Sequence, residues 1–84
     1  KEVKNKFYIR MLVDNKPDVL AAIASVFGVH KVSIARVIQK TKADDAAELV
    51  IVTEAVKEKH LEDALEHLVD MDTTREIGTV IREY

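Results

Sequence analysis

The sequence contains no cysteine and no tryptophan, and it has only one proline and two glycines. The absence of cysteine excludes disulfides, thiolate metal sites and cysteine nucleophiles, and it is typical of the reducing cytoplasm, where we expect this protein to work. The two glycines, Gly28 and Gly78, are fifty positions apart. They therefore cannot form a P-loop or a dinucleotide-binding glycine motif.

A dominant charge and a long apolar run are also missing. Lys plus Arg number 13 against 15 Asp plus Glu, which gives a net charge of -2 and no basic surface for nucleic acid or an anionic membrane. The apolar runs are far shorter than the ~20 residues of a membrane span, and the N-terminal residues lack the apolar block of a signal peptide. We therefore expect neither a nucleic-acid partner nor a membrane.

The pattern of apolar residues predicts four strands. Residues Phe7 to Val13 alternate strictly between the two sides of a strand. Three further runs are rich in β-branched residues: Val32 to Lys40, Ala47 to Thr53 and Ile77 to Arg82. Asp44 and Asp45 interrupt the pattern between the second and third runs, which favours a hairpin.

Two helices are predicted from steps of three and four residues. The first includes Val19, Leu20, Ile23, Val26 and Phe27, and Gly28 is expected to end it. The second runs from about Val56 to Val69, with an apolar stripe at Leu61, Ala64, Leu65 and Leu68.

The element order predicts an α+β fold, a ferredoxin-like βαββαβ sandwich with a four-stranded antiparallel sheet and two helices on one face. We expect one domain over residues 1–84, with a flexible lead-in at residues 1–5. Ile77 and Ile81 are placed in the core with Ile9, Met11, Leu49 and Ile51. The uncovered sheet face is expected to carry Arg10, Leu12, Glu48, Val50, Val52, Val80 and Arg82.

Four of those seven outward residues are aliphatic. A domain of 84 residues that buries only ~60% of its unfolded surface rarely exposes such a patch. The face is therefore expected to contact another copy or another domain, the alternative being scattered surface valines.

Catalytic and metal chemistry have little support. His60 and His67 are about two helical turns, or ~10 Å, apart, which is too far for both to bind one ion. His30 is interpreted as a surface turn residue, and the acidic residues of the second helix as its solvated face: Glu58, Glu62 and Glu66. We predict no catalytic residue, no metal site and no cofactor.

The segment from Phe7 to Lys40 resembles the ACT domain, a small-molecule-sensing module whose usual motif is Asp-x-Pro-Gly-(Val/Ile)-Leu. The matching residues are Asp14, Pro17, Val19, Leu20, Ile23, Phe27, Ser33 and Ile34. Within the family, the chain is most similar to the C-terminal regulatory ACT domain of homoserine dehydrogenase, and the similarity extends from about Lys6 to the terminal Val80 to Arg82.

The resemblance implies a non-catalytic regulatory domain that forms a homodimer or contacts the catalytic domain of the same enzyme. It implies an amino-acid ligand, threonine for an NAD(P)-dependent homoserine dehydrogenase of threonine biosynthesis, bound where the first loop meets the second strand of a neighbour. The effector-binding residues implied are Asp14, Asn15, Lys16, Asp18, Val19, Leu20, His30, Lys31, Val32, Ser33 and Ile34.

Two positions depart from the family pattern. Asp18 stands where the motif has glycine, and it adds a negative charge where a ligand carboxylate would lie; alternatively, it stabilises the helix dipole by ~0.3–1 kcal/mol. Lys31 stands where the family has a glycine before the second strand. Gly28, three residues earlier, is a possible substitute that would end the first helix sooner.

Three alternatives remain. The domain could be an association module that has lost its effector. An acyl-phosphate hydrolase on the same fold would need an arginine in the first loop, but the loop offers Lys16 flanked by Asp14 and Asp18. RNA binding would need aromatic residues on the third strand, which has none.

Overall fold

A computed structural model describes residues 3–83 of the chain. It contains five strands, β1 to β5, and two helices, α1 and α2. Their bounds, in chain order, are β1 Lys4–Asp14, α1 Val19–Val29, β2 Ile34–Ala43, β3 Ala46–Thr53, β4 Val56–Lys57, α2 Glu58–Val69 and β5 Thr74–Glu83. The predicted βαββαβ order is confirmed, with the two-residue β4 as an addition before α2.

The strands form one antiparallel sheet. β3 lies between β2 and β1, and the other edge of β1 is shared by β4 and β5. The two helices cover one side, which confirms the ferredoxin-like arrangement. Lys4 and Asn5 pair with Lys57 and Val56, so the flexible lead-in expected at residues 1–5 is wrong for these two residues. Residues 1 and 2 lie outside the described part of the chain.

The core lies between the sheet and the helices. Alternate residues of β1 and β3 meet one side of each helix, because a strand turns every second side chain to one face and a helix presents a stripe. The most deeply buried residues include Ile9, Leu49 and Ile51 from the sheet and Ile23, Phe27, Ala64 and Leu68 from the helices. Each large apolar side chain buried in this way stabilises the fold by roughly 1.5–3 kcal/mol.

Among the described residues, Thr53 is the one buried polar residue in this core. Its Oγ1 accepts a hydrogen bond from the Phe7 backbone N–H at 3.0 Å. The side chain therefore satisfies a buried donor near the start of β1, where an apolar residue would leave it without a partner.

The residues of β5 face the opposite sides of the sheet from those predicted near its end, where Ile81 was expected in the core and Val80 and Arg82 on the uncovered face. Val80 pairs with Ile9 and Arg82 with Phe7, which places both on the helix side, whereas Ile81 pairs with Tyr8 on the open face. Arg82 accordingly reaches Glu58 of α2 at 3.4 Å. The cause is a register shift opposite Ile9 and Met11, which reverses the alternation along β5.

The other sheet assignments agree with the structure. Ile77 pairs with Met11 and packs against the core. The open face carries Arg10, Leu12, Glu48, Val50 and Val52 as predicted, together with Tyr8, Ile38 and Ile81. Arg10 donates from Nη2 to the Tyr8 hydroxyl at 2.9 Å, and this bond, with Glu48 beyond it, raises the pKa of Arg10.

The end of α1 also differs from the prediction. The helix continues through Gly28 to Val29, and Gly28 has no positive φ, so it does not end the helix. The left-handed residue is instead Lys31, with φ of 65°. A side chain is disfavoured in that region by contact between Cβ and the backbone, which gives a physical reason for a glycine at this position.

Candidate functional site

The loop between β1 and α1, residues 15–18, is joined to two other segments by backbone hydrogen bonds, which brings three segments together. The Asp14 N–H donates to the Thr73 carbonyl at 2.9 Å, and the Asn15 N–H donates to the Asp45 carbonyl at 3.0 Å. Thr73 precedes β5 and Asp45 lies in the β2–β3 turn. We call this end of the sheet, where Asp14 pairs with Ala46, the first-loop end.

Arg75 ties the same three segments together through its side chain. Its Nε donates to Asp14 Oδ1 at 2.7 Å, and its Nη2 donates to the Asp45 carbonyl at 2.9 Å and lies 3.3 Å from Asp45 Oδ2. The hydrogen bonds to Asp14 and Asp45 raise the pKa of Arg75. One oxygen of Asp14 is therefore occupied by a charge-assisted bond, while Oδ2 is 4.0 Å from Lys16 Nζ.

A cavity of about 350 Å³ opens beside this loop. Its walls combine apolar side chains with a few polar groups, as is typical of small-molecule sites. The lining residues are Val13, Asp14, Asn15, Lys16, Pro17, Val19, Leu20, Gln39 and Leu49. Five of the predicted effector residues are therefore brought together here: Asp14, Asn15, Lys16, Val19 and Leu20.

Gln39 and Arg75 were not identified from the sequence. Gln39 follows the half-buried Val37 by two residues and pairs with Leu49, so it is a polar residue on the helix side of β2. Because every second residue of a strand faces the same side, the position of Gln39 two residues after Val37 could have identified it from the sequence. Arg75 has no such signal, because it is 61 residues from Asp14 in the sequence.

The start of α1 faces the same region. Val19 is buried, Leu20 is half exposed, and the N–H groups of a first helical turn carry a partial positive charge. Asp18 occupies the N-cap position, but its side chain makes no capping hydrogen bond. Asp18 is exposed and does not line the cavity, unlike its neighbours in the loop.

The remaining predicted residues, His30, Lys31, Val32, Ser33 and Ile34, do not line this cavity. Ile34 pairs with Thr53, and the Ser33 carbonyl accepts a bond from the Glu54 N–H at 2.8 Å. Val32 is buried, and its N–H donates to the Phe27 carbonyl at 2.9 Å. These residues lie at the end of the sheet opposite the first loop.

Within residues 3–83, no group of three or more His, Asp or Glu side chains is arranged to hold a metal ion. Neither described helix is long and apolar enough to cross a membrane. A further depression on the open sheet face is lined by Tyr8, Arg10, Thr79, Ile81 and Glu83, and it includes no helix N-terminus.

Comparison with known proteins gives a consistent result. The family model of the ACT domain matches residues 7–72. The chain is 35% identical over 81 residues to homoserine dehydrogenase of Synechocystis sp., a match that covers 96% of this chain and 19% of that protein. The chain thus spans about a fifth of the length of this curated relative.

Solved structures show the same fold. A homoserine dehydrogenase from Thiobacillus denitrificans superposes with a TM-score of 0.85 at 23% identity, over 96% of this chain and 18% of that one. The ACT domain of GTP pyrophosphokinase from Chlorobium tepidum superposes with a TM-score of 0.69 at 16% identity, over 95% of this chain and 99% of that one.

Proposed function

Because the chain belongs to the ACT domain family, we propose that it is a non-catalytic regulatory domain that pairs with a second copy and binds a small, threonine-like amino acid. In this proposal it controls an attached catalytic domain of homoserine dehydrogenase. The single observation that carries the proposal is the cavity beside the first loop, which combines a helix N-terminus, polar groups and an apolar wall.

The chemistry of the cavity suits a zwitterion. The first turn of α1 and the Lys16 ammonium attract an α-carboxylate, because both provide positive charge next to the loop. The Asn15 side-chain oxygen and Asp14 Oδ2 accept hydrogen bonds from an α-ammonium. Leu20 and Leu49 leave room for a short side chain, which favours a residue such as threonine over a large one.

A second copy would complete the site. The first loop and Ser33 lie at opposite ends of one sheet, so one copy does not bring them together. In a two-fold dimer, the first loop of each copy can face the start of β2 of its partner. Effector binding would then stabilise one arrangement of the two domains and, through them, one arrangement of the catalytic domains.

The test is isothermal titration of the 84-residue chain with threonine, isoleucine, valine and serine, accompanied by light scattering. We expect a dimer and saturable heat with at least one of these amino acids. Asn15→Arg should abolish the heat because it fills the cavity with a cation. Glu62→Arg, on the exposed side of α2, is the matched control and should titrate as the wild type does.

Mixing two defective variants tests whether the site is shared. Asn15→Arg blocks the part of the site formed by the first loop, and Ser33→Arg blocks the part formed by β2 of the partner. Each homodimer should therefore give no binding heat. A mixed dimer regains one intact site, and an equimolar mixture should recover about one site in four. A dimeric mixture that recovers no heat would show that the two halves do not meet across the interface.

An association module without an effector is the second candidate function. This function is favoured by the hydrogen bond between Asp14 and Arg75, which occupies one Asp14 oxygen. It is also favoured by Asp18 and Lys31, which stand where the family pattern has glycine. If none of the four amino acids gives binding heat while the dimer is retained, this function would be supported. A monomer that binds no amino acid would contradict both candidates.

A further inference from the structure

Two histidines that are far apart in the sequence meet on the surface of the helical layer. His30 follows α1 directly, and His67 lies in the last turn of α2. His30 Nε2 is 3.1 Å from His67 Nδ1, and the rings meet edge to face with centroids 5.3 Å apart and planes at 88°. The two nitrogens are therefore within hydrogen-bond distance of each other, and the tautomer decides which ring donates.

This distance is close to that required by a shared metal ion. An imidazole nitrogen lies about 2.0–2.1 Å from zinc, so two nitrogens at angles of about 90–110° around an ion are roughly 2.9–3.4 Å apart. The observed separation of 3.1 Å falls within that range, although each ring has to rotate out of the hydrogen bond to direct its nitrogen at a common ion. For both nitrogens to bind one ion, the proton in the hydrogen bond moves to the outer nitrogen of the ring that carries it, so that each imidazole binds as a neutral ligand.

The backbone holds the pair in place. The His30 N–H donates to the Val26 and Phe27 carbonyls at 3.2 Å, and the His67 carbonyl accepts from the Asp70 N–H at 3.2 Å. The helices pack on fully buried residues, including Phe27 and Leu68. Little conformational freedom of the backbone would therefore be lost when an ion binds.

Both rings are accessible to solvent, since His67 is exposed and His30 is half buried. Water can therefore fill the other coordination positions. Two neutral imidazoles are ligands for zinc, nickel and copper and are poor ligands for magnesium or calcium. We infer that His30 and His67 form a two-imidazole site for a divalent late transition-metal ion such as zinc or nickel.

An ion at this site would join the ends of the two helices. His30 is followed by Lys31, in its left-handed conformation, and by the turn into β2. Fixing His30 therefore stabilises the segment that contributes the second half of the proposed effector site. The metal site itself depends only on the two histidines and does not rest on the proposed function.

His60 provides a matched control. It lies on α2 like His67, but it shares its pocket with Lys4, Lys31 and Lys57, whose charges repel a cation. His30→Gln, His67→Gln and His60→Gln each remove one imidazole and retain a polar side chain. Circular dichroism would establish that all three variants are folded before titration.

The experiment is titration of the 84-residue chain with ZnCl₂ and NiCl₂, with MgCl₂ as the control ion. We expect one zinc or nickel ion per chain, an increase in Tm with either ion, and no response to magnesium. His30→Gln and His67→Gln should weaken binding by at least ~10-fold and lose the Tm increase, whereas His60→Gln should keep both. Equal binding by all three variants, a loss confined to His60→Gln, or no binding by the wild type would overturn the inference.

Discussion

The two ends of the sheet are stabilised by different forces. At the first-loop end, exposed charged and polar groups join three segments through Asp14, Asp45 and Arg75. At the opposite end, the chain is held by apolar burial, with Phe27 and Val32 in the core, and by the buried hydroxyl of Thr53. Exposed charged contacts contribute little to stability, whereas each buried large apolar side chain contributes roughly 1.5–3 kcal/mol.

The largest predicted effect tests this difference in stability. Phe27→Ala should lower the free energy of unfolding by about 3–5 kcal/mol, because it removes a fully buried ring near the opposite end. Urea denaturation measures the change. Arg75→Gln, at the first-loop end, should cost far less because exposed ion pairs contribute little. Equal losses in the two variants would remove the distinction between the ends.

Two threonines, one near each end of the sheet, differ in how their hydroxyl groups are hydrogen-bonded. Thr53→Val should cost about 1–3 kcal/mol because it leaves the buried Phe7 N–H without its acceptor. Thr74, at the first-loop end, has a buried Oγ1 with no hydrogen-bond partner among residues 3–83. Thr74→Val should therefore leave the urea midpoint unchanged or raise it. A destabilised Thr74→Val variant would indicate a partner for this hydroxyl.

The glycine positions at the end of α1 provide the next test. Lys31→Gly should stabilise the domain by about 1 kcal/mol, because glycine adopts a φ of 65° without steric cost. Gly28→Ala should also stabilise it, by about 0.5–1 kcal/mol, since a Cβ at Gly28 meets nothing within 4 Å. Thermal unfolding measures both. A destabilised Gly28→Ala variant would contradict the helical assignment at this position.

The smallest effect on stability concerns Asp18. Asp18→Gly should strengthen amino-acid binding by removing a negative charge beside the proposed carboxylate position, at a cost of about 0.3–1 kcal/mol in helix stability. Asp18→Asn separates the two contributions, because it removes the charge and keeps the side chain. Titration heats that are unchanged or weaker in Asp18→Gly would refute this role for the Asp18 side chain.

Most of the fold could be predicted because it depends on local periodicity. The alternation from Phe7 to Val13 and the stripe from Leu61 to Leu68 reflect which side chains face one core, and both assignments are confirmed. The phase of β5 could not be predicted, because the register shift opposite Ile9 and Met11 depends on pairing with β1. Likewise, Gly28 resembled a helix stop, although the backbone turns at Lys31.

The first-loop part of the candidate site could be predicted from the sequence, whereas its residues from other strands required the structure. The loop residues Asp14 to Lys16 follow a strand and precede a helix, so a site at a helix N-terminus could be expected there. The contributions of Gln39 and Arg75 come from other strands. The sequence also indicated no closeness between His30 and His67, because 37 residues separate them.

The element order, the apolar faces and the exclusion of cysteine and glycine-loop chemistry can be predicted from residue type and spacing along one strand or helix. The contacts between polar groups depend on the folded chain: Arg75 with Asp14, Gln39 beside the first loop, and His30 with His67. Periodicity specifies which face a side chain occupies. Its neighbours on that face are specified by strand register and helix packing, which arise when the whole chain folds.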